Sequence, residues 1–171
     1  MQMKCSFFWT TLLAVASQSE SDKDLFRWAD FSSVVLGWDL LSAAEWHYLI
    51  NSRPGTRFAK ACVRGVNGLI LFPDSYRHPI AQALNNINAG EVSYSSNTFT
   101  LEQWDQMEAA GAIFLPAALN SGGEGSYWSS TTTQNGTNTK RLQFSASEFT
   151  TANDQSKDNL YSVRLVKPAT N

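Results

Sequence analysis

The stretch NTFTLEQWDQMEAAGAIFLPAA, residues 97–118, places a complete helix directly against a strand. Thr100-Leu101-Glu102-Gln103 is a capping box, in which the Thr100 hydroxyl accepts from the Gln103 amide and the Gln103 side chain reaches back. Leu101, Trp104 and Met107 recur at helical spacing, which predicts a helix over 100–110 with Ala109 and Ala110 packed closely. Gly111 follows where a carboxy-terminal cap belongs. Glu102, Asp105 and Glu108 are spaced like catalytic acids but share the polar face, so they read as its solvated side. Beyond Gly111, residues 112–117 read as a buried strand with a proline, Pro116, at its end.

The same grammar extends outward. Ser42-Ala43-Ala44-Glu45 is a second capping box, followed by Trp46, Leu49 and Ile50 at helical spacing. It predicts a helix over 42–52, stopped by Arg53-Pro54-Gly55. Trp46 and Trp104 both lie on apolar stripes and are expected in the core. Residues 58–63 and 69–72 read as strands joined by a turn at 65–68, a hairpin closed by Pro73-Asp74. The stretch onward to Asn97 is polar and irregular. After the second helix, NSGGEGS (120–126) reads as a flexible connection, because it lacks the Lys-Ser/Thr ending of a phosphate loop. Tyr127-Trp128-Ser129-Ser130 opens a β region, and Arg141-Leu142-Gln143-Phe144 alternates as a half-buried strand does. Residues 150–159 read as a polar loop and 161–166 as a last strand. Helices early and strands late predict an α+β fold, two helices packed on a twisted antiparallel sheet with much irregular loop.

Composition narrows the function. The chain has 171 residues, 43 % hydrophobic and 16 % charged, which suits one domain with a real core. A formal net charge of -2 leaves no basic footprint for nucleic acid. No apolar run is long enough to span a bilayer. Cys5 and Cys62 show no metal spacing, and Cys62 reads as a small buried hydrophobe. His47 and His78 lack clustered partners and read as surface or helix residues. Two readings fit the amino terminus. Residues 1–16 carry a short apolar run ending Ala14-Val15-Ala16, the form of a signal peptide, with residues 17–36 as the start of the mature chain; the same run is also β-prone enough for a buried strand.

Five separated segments then agree in order: GWDLLSAAEWHYLINSR (37–53), VRGVNGLILFPDSY (63–76), NTFTLEQWDQMEAAGAIFLPAA (97–118), YWSSTT (127–132) and YSVRLV (161–166). Together they resemble C-type-lectin-like proteins of gut Bacteroidetes and their phages. Many members of that group are variable proteins of diversity-generating retroelements, and their fold is similar to that of the formylglycine-generating enzymes. The resemblance covers roughly residues 25–166. This chain departs from the group before its first helix, where Trp28-Ala29-Asp30 is followed almost at once by Gly37-Trp38.

The resemblance implies a C-type-lectin-like domain over 37–167, displayed on a secreted protein, cell surface or virion. It also implies that residues 131–159 carry the exchangeable, ligand-contacting side chains. Adenine-directed mutagenesis there yields Asn, Asp, Ser, Thr, Tyr and Gly. The expected contact residues are Thr132, Thr133, Gln134, Asn135, Lys140, Arg141, Gln143, Ser145, Glu148, Thr150, Asn153, Asp154, Gln155, Asp158, Asn159 and Tyr161, facing a protein or glycan partner. Alternation with Leu142 and Phe144 turns Arg141, Gln143 and Ser145 outward, and alternation with Phe149 does the same for Glu148 and Thr150. Short polar side chains of this kind adapt to many partners. An enzyme of the formylglycine-generating type needs a late cysteine pair, and this chain has none after Cys62. A carbohydrate-binding lectin domain, with or without calcium, is the alternative. Asp154, Asp158 and Asn159 offer oxygens for calcium, but loosely spaced and without an EPN, QPD or WND triplet. The expectation is therefore a binding module with no catalytic residues, no metal and no cofactor.

Overall fold

The computed structural model of the chain describes residues 38–53, 57–82, 84, 88, 93–118 and 121–166. The readings of the amino-terminal signal or strand, of Cys5 and of Trp28-Ala29-Asp30 fall outside them. The fold is α+β. In chain order the elements are β1 (Asp39–Leu40), α1 (Ala43–His47) running into a π-helical turn (Tyr48–Ser52), β2 (Arg57–Val63), β3 (Val66–Phe72) and the single turn α2 (Pro79–Gln82). There follow a 3-10 turn (Tyr94–Ser96), β4 (Thr98–Phe99), α3 (Leu101–Ala109), β5 (Ile113–Pro116), β6 (Gly125–Thr132), β7 (Asn138–Phe144), β8 (Phe149–Ser156) and β9 (Leu165–Val166).

Both capping boxes form as the sequence predicts, Ser42 with Glu45 and Thr100 with Gln103. Gly111 sits just past α3 with φ 93, a left-handed conformation that glycine adopts without a Cβ penalty. The first helix finishes in a wider turn than expected, closed by the Arg53 amide on the Tyr48 carbonyl at 2.9 Å. Trp46 and Trp104 are both buried. Leu101 departs from its stripe and stands exposed, as does Ala109.

The expected single antiparallel sheet is instead three. The largest runs β4-β2-β3-β5, with β4 parallel to β2; a second runs β6-β7-β8; β1 and β9 make a two-stranded ladder. The β2–β3 turn is only Arg64-Gly65, with φ of 53 and 81, so Val66, Asn67 and Gly68 belong to β3 rather than to the turn. Two successive positive φ values are what a tight primed turn requires. Residues 150–156, expected in a loop, are paired along β7 as β8. The last expected strand is short: Ser162 bridges Tyr127, and only Leu165 and Val166 pair with β1.

Packing explains the layering. Phe58, Leu69 and Leu71 face one core with Trp46, Ile50, Tyr127, Leu142 and Phe144. Their neighbours Ala59, Ile70 and Phe72 face a second core with Tyr76, Trp104 and Met107. The β2–β3 hairpin is thus a middle layer, with α3 on one side and α1 plus the β6–β8 sheet on the other. A strand buried on both faces is apolar throughout, which accounts for Leu69-Ile70-Leu71-Phe72. Trp46 joins the layers, its ring edge-on to Tyr127 at 6.4 Å and its Nε1–H reaching the Trp128 carbonyl at 3.5 Å. Phe58 stacks on Phe149 at 5.1 Å, and the fully buried Lys60 donates to the Ala146 carbonyl at 3.0 Å, so the β7–β8 hairpin is tied to the middle layer.

Truncating the joint should be costly. Trp46→Ala is expected to lower stability by roughly 3–5 kcal/mol in denaturant unfolding, as for large core aromatics. A loss under about 1 kcal/mol would mean that α1 is not held by this ring.

Candidate ligand-binding face

The β6–β8 sheet has an inner and an outer face. Tyr127, Leu142, Phe144 and Phe149 point to the core. The register places Ser126 beside Gln143 and Trp128 beside Arg141. Arg141 is in turn beside Asn153, and Gln143 beside Thr150. The outer face is therefore Ser126, Trp128, Arg141, Gln143, Thr150 and Asn153. A bulge in β8 between these two pairs shifts its alternation by one residue, so Thr151 is buried and Ala152 exposed.

Alternation correctly turned Arg141 and Gln143 away from the core, but they are not exposed. Arg141 is 6 % accessible and Gln143 8 %. The chain between β8 and β9 folds back over them. Tyr161 lies with its ring 4.4 Å from the Arg141 guanidinium carbon and edge-on to Trp128 at 4.6 Å. The Tyr161 hydroxyl donates to Gln155 Oε1 at 3.2 Å, and the Asn159 amide donates to both that oxygen and the hydroxyl. A guanidinium against an aromatic face gains from the ring quadrupole, more so away from water.

Beneath this cover runs a chain of polar contacts. Arg141 Nη1 donates to Ser126 Oγ and Nη2 to Gln143 Oε1, both at 2.8 Å. Asn153 Nδ2 donates to the same Gln143 oxygen at 2.7 Å. The Gln143 amide nitrogen then divides its hydrogens between Glu124 at 3.2 Å and Glu148 at 3.4 Å. Among the described residues no carboxylate reaches Arg141 at ion-pair distance, and its Nε–H is buried without an acceptor. The positive charge is balanced at one remove, through Gln143, by two surface carboxylates. Such a network loses heavily if one member goes, because the rest stay buried.

The other expected contact residues separate into two groups. At one end of the sheet are Thr132, Gln134 and Asn135, which are exposed, and the half-buried Thr133, with Gln155, Asp158 and Asn159 of the following turn alongside. At the other end are Ser145, Glu148 and Thr150. The seven residues of β7 lie between, about 20 Å of strand, so the segment does not form one continuous patch. Several exposed side chains are also committed. Asn135 Oδ1 accepts from Thr133 and Thr137 hydroxyls and fixes the β6–β7 turn. Ser145 Oγ accepts from the Ser147 and Glu148 amides. Lys140 pairs with Asp154 at 2.7 Å. Asp154 is thus engaged by a cation. Among the described residues no group of three or more His, Cys, Asp or Glu is gathered for a metal.

Two features escaped the sequence reading. Glu124, in the glycine-rich connection, joins the outer face. That connection is pinned, because the buried Tyr94 hydroxyl donates to the Gly123 carbonyl. Leu160, beside Tyr161, is 46 % accessible and is the most exposed large apolar side chain described. A lone carboxylate among glycines and a lone leucine in a polar run carry no pattern to find them by.

No family model matches the chain, and comparison with curated proteins and with solved structures gives no match. No helix among the described residues is long and apolar enough to cross a membrane.

The division between buried and exposed residues sets the mutational response. Arg141→Ala should cost roughly 1–3 kcal/mol, since Gln143 and Ser126 lose a buried partner. Asp154→Ala and Gln134→Ala should stay within about 0.5 kcal/mol of the parent, all three read by urea unfolding. Tyr94 gives a pH test. Burial, reinforced by the Glu124 carboxylate, pushes its phenol up to about 12. The unfolded chain ionises first, so this contribution is complete below the ordinary tyrosine value of 10.0 and is lost as pH rises toward about 12. The melting temperature should fall across that window, and fall less steeply in Tyr94→Phe.

Proposed function

We propose that the chain is a ligand-binding module rather than an enzyme, a C-type-lectin-like scaffold that presents an exchangeable surface to a protein or glycan outside the cell. The observation that carries this reading is the separation of roles on the β6–β8 sheet. Its inner face is core, its outer face is a closed polar network, and the exchangeable segment leaves short polar side chains on the margins. Thr132, Gln134, Thr137, Ala152, Ser156 and Asp158 are all exposed. Replacing them touches neither core nor network, which is what a surface that changes partner needs. The contact surface is therefore reassigned. Arg141, Gln143 and Asn153 become its support, and the turn residues with Asp158, Leu160 and the rim of Tyr161 become the contacts. An exposed leucine next in sequence to Asn159 and Tyr161 offers an apolar anchor with polar neighbours, the anchor-and-rim pattern of binding surfaces. The resemblance to variable proteins of diversity-generating retroelements supplies the means of exchange.

The coding DNA provides the first test. A near-identical copy of the region encoding 131–159, differing at adenines and accompanied by a reverse transcriptase, is expected nearby. A display library offers the second. Randomising Thr132, Gln134, Ser156 and Asp158 over Asn, Asp, Ser, Thr, Tyr and Gly should leave most clones folded, with melting temperatures near the parent's. Binders to cell-surface glycoproteins should be enriched on selection. Widespread unfolding in that library, or no enrichment from a folded one, would overturn the assignment.

A further inference from the structure

A second, differently built site lies where β2 begins and β3 ends. Arg57 Nη2 donates to the Tyr76 carbonyl at 3.2 Å, and Arg77 Nη1 donates to the same oxygen at 2.7 Å. Two guanidinium groups sharing one acceptor lie side by side. Arg77 is fixed further by the Asp74 carbonyl at 2.8 Å. The Arg57 guanidinium lies over two rings, 5.6 Å from the Phe72 centroid and 5.8 Å from that of Tyr76. Arg53 adds a third guanidinium, whose Nη1 pairs with Asp74 at 3.1 Å. Burial lowers the Arg53 pKa, and the charge of Arg57 adds to that lowering.

The charges do not balance locally. Among the described residues neither Arg57 nor Arg77 has a carboxylate at ion-pair distance, and Asp74 is engaged by Arg53. Neutral carbonyls orient these cations without relieving their mutual repulsion. His78 stands at the margin, its ring 6.4 Å from that of Tyr76. Its Nδ1 accepts the Ile80 amide at 3.4 Å, which leaves Nε2–H as a further donor. Arginine forks fixed in plane are suited to oxyanions, which they meet with paired hydrogen bonds.

We propose that Arg57 and Arg77, with His78 beside them, form a binding site for a tetrahedral oxyanion, a sulfate or phosphate group. The group neutralises the two unpaired guanidiniums and takes up their remaining N–H donors. This site uses no residue of the exchangeable segment, so it stands or falls apart from the reading of the β6–β8 face. A fixed anion site outside the changeable face gives the module a constant contact for ligands that carry sulfate or phosphate esters.

Calorimetric titration of the full chain with sodium sulfate, sodium phosphate and a sulfated oligosaccharide, against sodium chloride at matched ionic strength, tests the proposal. Saturable binding is expected, weakened by about tenfold or more in Arg77→Gln, an exposed change that leaves the fold intact. Asp74→Asn removes the neighbouring negative charge and should tighten binding, an effect that mere loss of structure does not give. Binding of the free salts assigns the site to the inorganic ion. Binding of the oligosaccharide alone assigns it to an ester group on a polymer. No binding beyond chloride by any probe, or equal affinity in Arg77→Gln, would falsify the site.

Discussion

Burial of the β2–β3 hairpin on both faces is the constraint from which the rest of the fold follows. A two-stranded ribbon with apolar residues on each side cannot meet water on either. One face takes α3 through Trp104 and Met107, and the other takes α1 and the β6–β8 sheet through Trp46, Tyr127 and Phe144. The outer sheet is thereby fixed at its inner face by packing and at its hairpin by Phe58 on Phe149 and Lys60 on Ala146. A buried ammonium that donates to a hairpin carbonyl orders that turn more sharply than an apolar contact does, because the penalty for losing the bond falls on a desolvated charge. The surface proposed to meet a partner therefore rests on a rigid base, a condition for presenting varied side chains at little entropic cost.

Much of this was legible in the sequence where local chemistry decides local structure. The two capping boxes, the stripes through Trp46 and Trp104 and the cap at Gly111 depend on residues within one or two turns, and all form. The failures have the opposite character. Residues 150–156 have little β propensity on their own and become a strand because β7 offers a ladder to pair with. The short, parallel β4 is set by β2, far away in sequence. Leu101 shows that a correct stripe does not guarantee a neighbour for each of its members.

The candidate face was misread for a related reason. A two-residue period says which side of a sheet a residue occupies, but not what lies over that side. Arg141 and Gln143 do point away from Leu142 and Phe144. Only the return of the chain through Asn159 and Tyr161 covers them, and nothing in the local alternation encodes that return. The polarity of the outer face was read as exposure, whereas it belongs to an enclosed network. Glu124, Gln143 and Glu148 come from three separate stretches, and a single amide nitrogen joins them.

This network bears on how the surface proposed for exchange stays folded. A buried arginine balanced only through a glutamine tolerates little change, so Arg141 and Gln143, covered by Tyr161, form a fixed platform within the segment proposed for exchange. The polarity of that platform still has a use. An apolar outer face would leave a sticky sheet whenever the segment above it was poorly matched, whereas a hydrogen-bonded one admits water without collapse. On the proposed reading, exchange belongs to positions whose side chains end in solvent. Their number is small: the β6–β7 turn, alternate residues of β8 and the turn that follows. Diversity at so few sites, as proposed, would alter specificity more readily than affinity, because each substitution would change one rim contact while the rigid base keeps the ordering cost of binding low.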